Sequence, residues 1–159
     1  MTSAIKSLTF VTAIGAAAAG GVFFAFSTFV MAGLKRLPAP QGIAAMQSIN
    51  VTAVRPLFMT LLFGTAALCA VLGVRAVTHW DTYRSPLLLA GSLLYLIGAI
   101  VLTGAHHVPL NDSLAKVDPQ SISAAKEWTH YLSSWTSWNH VRTIAPIASA
   151  ACFTLALIR

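Results

Sequence analysis

Charge is what this sequence most conspicuously lacks. Only 9% of its 159 residues are charged, and just four are acidic. A soluble domain carries about 25% charged residues, so a freely soluble fold is excluded. Cysteine is scarce too. Cys69 and Cys152 each lie in an apolar run with no second thiol nearby. That spacing argues against a metal knuckle or a redox pair and reads both as small buried hydrophobes. Phosphate loops, dinucleotide glycine fingerprints and serine elbows are all missing. Gly20-Gly21 falls inside an apolar span and has no bearing on nucleotides. The net charge of +6 comes from basic residues scattered singly at segment ends, with no basic stripe. They suit snorkelling to anionic lipid headgroups, and no nucleic-acid partner is expected.

What the chain does have is apolar length. It is 57% hydrophobic, with a mean hydropathy of +0.75. Four runs stand out: Ser7 to Leu34, Pro56 to Val74, Ser85 to Ala105, and Thr143 to Ile158. A helix needs about 20 apolar residues to cross a bilayer. The last run is short and borrows its first turn from Asn139 to Arg142. The first run continues through Phe23-Phe24-Ala25-Phe26, too long for the h-region of a cleaved signal peptide. The expected fold is all-α: one four-span membrane domain over 1–159, an up-down-up-down bundle with both termini on one side. The expected location is the bacterial inner (plasma) membrane, as a multi-pass protein. Gly15, Ala16, Ala17, Ala19, Gly20 and Gly21 form a small-xxx-small stripe suited to close packing within the bundle.

The links carry the chemistry. Pro38 and Pro40 are expected to end span one. Ile43 to Val54 then reads as an interfacial helix, and Arg55-Pro56 opens span two. Pro109 is expected to break span three. Ser121 to Ser134 reads as a helical segment in the loop before span four. On it Trp128, Tyr131, Trp135 and Trp138 share one face. Helix parity puts the links after spans one and three on the same membrane side. Asn50, Arg55, His106, His107, Asp112, Trp135, Trp138, Asn139, His140 and Arg142 therefore gather there. Polar groups are costly near hydrocarbon, so such a gathering marks a candidate site.

Each group admits more than one reading. His106, His107, Asp112 and His140, with His130 as a weaker member, form a candidate metal set, although no Glu-x-x-His pair is present. The same histidines suit proton transfer, or interfacial bonds to neighbouring loops. Asn111-Asp112 is ordinary turn and cap chemistry after Pro109, or Asp112 orients a histidine or pairs with Arg142. The tryptophan stripe is an interfacial aromatic belt, or one wall for a flat apolar ligand.

Several stretches carry a resemblance: Gly20-Gly21-Val22-Phe23-Phe24, Met46 to Asn50, Val108 to Leu114, and Trp135 to Thr143. Together they resemble the DUF1772, or anthrone-oxygenase-like, family of small integral membrane proteins, over almost the whole chain. The resemblance implies a four-helix membrane bundle. Some fungal members oxidise anthrones to anthraquinones with O₂ and no identified organic cofactor; most bacterial members have no assigned activity. The activity so implied is oxidation of a planar phenolic, polyketide or quinone-like substrate, with no cofactor and O₂ as co-substrate. His107 or His140 would be the base, oriented by Asp112. Arg142, Asn139 and an indole N–H would stabilise the enolate oxygen. Asn50, Arg55, Phe23, Trp135, Trp138 and Asn139 would line the substrate site. Two alternatives stay open: a non-enzymatic membrane accessory protein, and a metal or haem protein with histidine ligands. The expected partners are membrane lipids and a planar apolar small molecule, with a homo-oligomer left open.

Overall fold

An apolar run in lipid must satisfy its own backbone, and a helix does so within one segment. The computed structural model describes residues 1–158, and every regular element among them is helical. There are five helices: α1 (Ser3–Lys35), α2 (Ala39–Ala53), α3 (Pro56–Thr78), α4 (Ser85–Ala115) and α5 (Ala124–Ile158). All but α2 are long and apolar enough to cross a membrane. Prolines sit in the first turns of α2, α3 and α4, where the missing N–H has no helical partner to lose. The α3–α4 link is pinned by Asp81, whose carboxylate accepts the N–H groups of Tyr83 and Arg84.

The spans close into a ring in which α1 packs on α3 and α5, and α4 packs on the same two helices. The small-residue stripe works inside this ring. Ala16 and Ala19 are fully buried. A Cβ on Gly20 would come within 2.8 Å of Ile147 on α5, so only a residue without one allows α1 and α5 this close. Cys69 is buried and Cys152 half-buried, both as free thiols.

Several expectations about the links change. Helix α2 begins at Ala39, so Pro40 starts it rather than ending span one. Its Ile43 and Met46 are buried in a second core with Trp128, Tyr131 and Trp135 of α5. The tryptophan stripe is therefore mostly internal. Trp128 stacks on Tyr131 at 5.7 Å and Tyr131 on Trp135 at 6.5 Å, and only Trp138 keeps a half-exposed, belt-like position. Pro109 does not break α4. Wider π turns at Leu96–Val101 and Thr103–His107 precede it, and it takes an early position in the turn that follows. A π adjustment of this kind re-satisfies the backbone around a proline. The helical segment before span four is present, but it runs on unbroken into that span as α5, with Pro146 buried within.

Candidate functional site

Beneath α2 the four spans part and leave a cavity of about 500 Å³. Its walls are chiefly apolar: Phe23 and Phe26 of α1, Met46 and Ile49 of α2, Phe58 and Leu62 of α3. Val22, Val54, Phe63 and Val108 also line it and are exposed on the outside of the protein. The cavity therefore opens at the side of the bundle, between these residues.

One charged side chain reaches this space. Arg142, on α5, is 6% exposed and forms part of the cavity wall. Its Nε and Nη2 donate to Asn139 Oδ1 at 3.2 and 2.9 Å, and Nη1 donates to Thr103 Oγ1 at 3.1 Å. The guanidinium carbon lies 4.3 Å from the Phe23 ring centre and 5.2 Å from that of Trp135, within range of cation–π attraction. A guanidinium has five N–H donors, so two have no partner among the described residues. The only ion pair there is Arg84–Asp81, at the other end of the bundle.

Asn139 holds the cation in place. It is fully buried, and its Nδ2 donates to the Phe23 carbonyl and to Ser27 Oγ, both at 2.8 Å. Ser27 also bonds Thr143 at 2.9 Å. Phe23 and Ser27 flank the point where α1 passes into a π-wound segment, Phe26–Val30. π turns recur at functional sites.

A second polar group lies on the same wall. Asn111 Oδ1 accepts from Tyr131 Oη at 2.8 Å and from Trp135 Nε1 at 3.1 Å. Asn50 Nδ2 donates to Tyr131 Oη at 3.4 Å. Asn50, Asn111, Trp135 and Arg142 all line the cavity.

The structure thus brings Phe23, Asn50, Trp135 and Arg142 to one cavity, with Asn139 directly behind. It does not bring the rest. Asp112 is exposed and makes no pair with Arg142. It follows Asn111 by one residue, about 100° round the helix, and so turns outward. His140 is exposed for the same reason, one step beyond buried Asn139. Arg55 is exposed just ahead of α3. Trp138 packs outside on His106, with ring centres 5.1 Å apart. His107 is fully buried but stands behind Trp135, its Nε2 donating to that residue's carbonyl at 3.3 Å. The candidate metal set is not assembled. Among the described residues no three His, Cys, Asp or Glu side chains come together, so His106, His107, Asp112 and His140 form no ligand cluster. Sequence reasoning missed Ser27, Thr103 and Thr143 and gave Asn111 only a turn role. Their available signal was a small polar group within or beside an apolar span, which must find a partner.

A multi-pass helical membrane protein with a lateral apolar cavity and one inward cation is the class these features define. The sequence model of the anthrone oxygenase family matches residues 57–152. The chain belongs to that family. Nothing matches among curated proteins or among solved structures.

Proposed function

We propose that the protein binds a planar phenolic or anthrone-like molecule as its anion and lets that anion react with O₂. The observation that carries this reading is Arg142: a buried cation with, among the described residues, two unpartnered N–H groups and no carboxylate, set in an apolar cavity. A charge removed from water is costly unless paired. A bound oxyanion supplies the missing partner, and the cation in turn favours the ionised form of the substrate.

For an anthrone the steps balance without a further oxidant. The ring methylene loses a proton and its electron pair delocalises onto the ketone oxygen, which faces Arg142. The carbanion centre bonds to O₂, which takes up the proton as a hydroperoxide. Loss of water leaves the quinone, so anthrone and O₂ become anthraquinone and water. Among the described residues no imidazole lines the cavity; water accepts the first proton, and Arg142 carries the catalysis by acidifying the substrate. Phe23 and Trp135 contact the flat ring, and the sideways mouth admits it from the bilayer. An α-helical bundle of this kind suits a bacterial inner membrane, since outer-membrane proteins are barrels.

Oxygen uptake with an anthrone tests the proposal. Wild-type protein should consume O₂. Arg142→Gln should lower the rate about a hundredfold, the scale seen when one oxyanion donor is removed. His140→Ala should leave it within about twofold, as for a surface change. No uptake, and no binding of a phenol or quinone by calorimetry, would overturn the reading. The Arg142 network, which joins α1, α4 and α5, would then serve as the clamp of an accessory protein.

A further inference from the structure

The Asn50–Tyr131–Asn111–Trp135 cluster fixes more than its own geometry. The indole Nε1 of Trp135 can only donate, so the Asn111 atom it meets must be the oxygen. That oxygen also accepts from Tyr131. The Asn111 amide NH₂ is then left without a partner among the described residues. Tyr131 Oη, having donated to Asn111, accepts from Asn50 Nδ2. The Asn50 carbonyl oxygen is therefore left over as well. Both asparagines line the cavity, and both are half-buried. One wall thus offers a vacant donor and a vacant acceptor linked through a single tyrosine hydroxyl. Trp135 connects this pole to the cationic one, with Nε1 on Asn111 and its ring beside Arg142.

We propose that this second pole recognises a hydroxyl group on the ligand, whose oxygen accepts a hydrogen bond from Asn111 Nδ2 and whose O–H donates one to Asn50 Oδ1. A hydroxyl is the smallest group that does both at one atom. The ligand is then a flat ring system bearing at least two oxygen functions, an anionic oxygen at Arg142 and a separate hydroxyl at the asparagines. Asn50 and Asn111 set specificity and do not touch the reacting carbon. The inference rests on the reading of the cavity as a site for a planar phenolic anion. An apolar wall would scarcely notice an added hydroxyl, whereas a wall holding unpaired polar atoms penalises the ligand that lacks one.

The test is equilibrium binding of a monohydroxyanthraquinone and a set of dihydroxyanthraquinone isomers to the full chain in detergent or nanodiscs. Neither compound turns over, so binding is read alone. Two added hydrogen bonds predict that at least one dihydroxy isomer binds about tenfold more tightly than the monohydroxy compound. Asn50→Ala should remove most of that gain and leave monohydroxy affinity within about twofold, because the Tyr131–Asn111–Trp135 bonds survive it. Asn111→Ala should remove it too, provided its melting curve stays cooperative. The wild-type comparison alone decides the matter if a variant does not fold. Equal wild-type binding of all isomers overturns the inference while leaving the phenol reading standing. A gain that persists undiminished in Asn50→Ala also overturns it. Binding of none of the compounds removes both.

Discussion

Asn139→Ala should be among the most damaging single substitutions in this protein. The side chain is fully buried and makes four hydrogen bonds, two donated to α1 and two accepted from Arg142. Interhelical hydrogen bonds within membrane proteins average about 0.6 kcal/mol and reach about 1.7. The two bonds to α1 therefore account for about 1–3 kcal/mol. Alanine also strips Arg142 of two of its three bonds, and removing one partner from a buried charge costs about 3–5 kcal/mol. The sideways mouth lets water or a headgroup reach the guanidinium and recovers part of that. A net loss of about 3–6 kcal/mol follows. Reversible unfolding of detergent-solubilised protein measures it, with Asp112→Ala as the control. Asp112 is exposed and makes no bond to Arg142, so its loss should stay within about 0.5 kcal/mol. Equal stability of the two variants would refute the account of Arg142 as a cation held by an amide rather than by a carboxylate.

Other outcomes follow from the same structure. Asn139→Asp keeps the oxygen that Arg142 needs and supplies it with a negative partner, so anthraquinone binding should fall at least about tenfold while a cooperative melt persists; undiminished binding would show that the ligand does not use the cation. Gly42→Ala places a Cβ 2.8 Å from the buried Trp128 ring and should lower stability by about 1–3 kcal/mol as α2 is pushed off α5, whereas Gly33→Ala meets no neighbour and should be neutral or better in the same melt. The N–H groups of Tyr83 and Arg84, and then the Arg84 side chain, hold the Asp81 carboxyl below its usual range. A depressed folded-state pKa gives stabilisation that is present above the unfolded value and lost as pH falls through the folded one. Melting curves should thus weaken below the ordinary carboxylate range, and Asp81→Asn should flatten that dependence; an unchanged slope would count against the Asp81 bonds.

The spans were legible because they obey a one-dimensional rule. A run of apolar residues long enough for the bilayer has to be helical, since no other open segment satisfies its backbone there. Parity then placed Asn50 and Arg142 on one membrane side before any packing was known. Close packing of α1 within the bundle was equally visible in the Ala16–Gly20 spacing, because small side chains are what allow it; that its partner is α5 was not. Proline was misleading for local reasons: Pro40 falls in the first turn of α2, where no N–H is needed, and Pro109 follows a π-wound turn that accommodates it, neither of which residue identity reveals.

Which polar groups face inward was decided only by tertiary structure. Asn139 and His140 are adjacent in sequence, as are Asn111 and Asp112, yet one of each pair faces the bundle and the other faces out. About 100° of helix rotation separates them, and three π turns in α1 and α4 shift that rotation further. Composition favoured a carboxylate for Arg142, since cations seek anions. Packing instead gave it an amide, a hydroxyl and two aromatic faces, leaving its charge unmatched at the cavity wall.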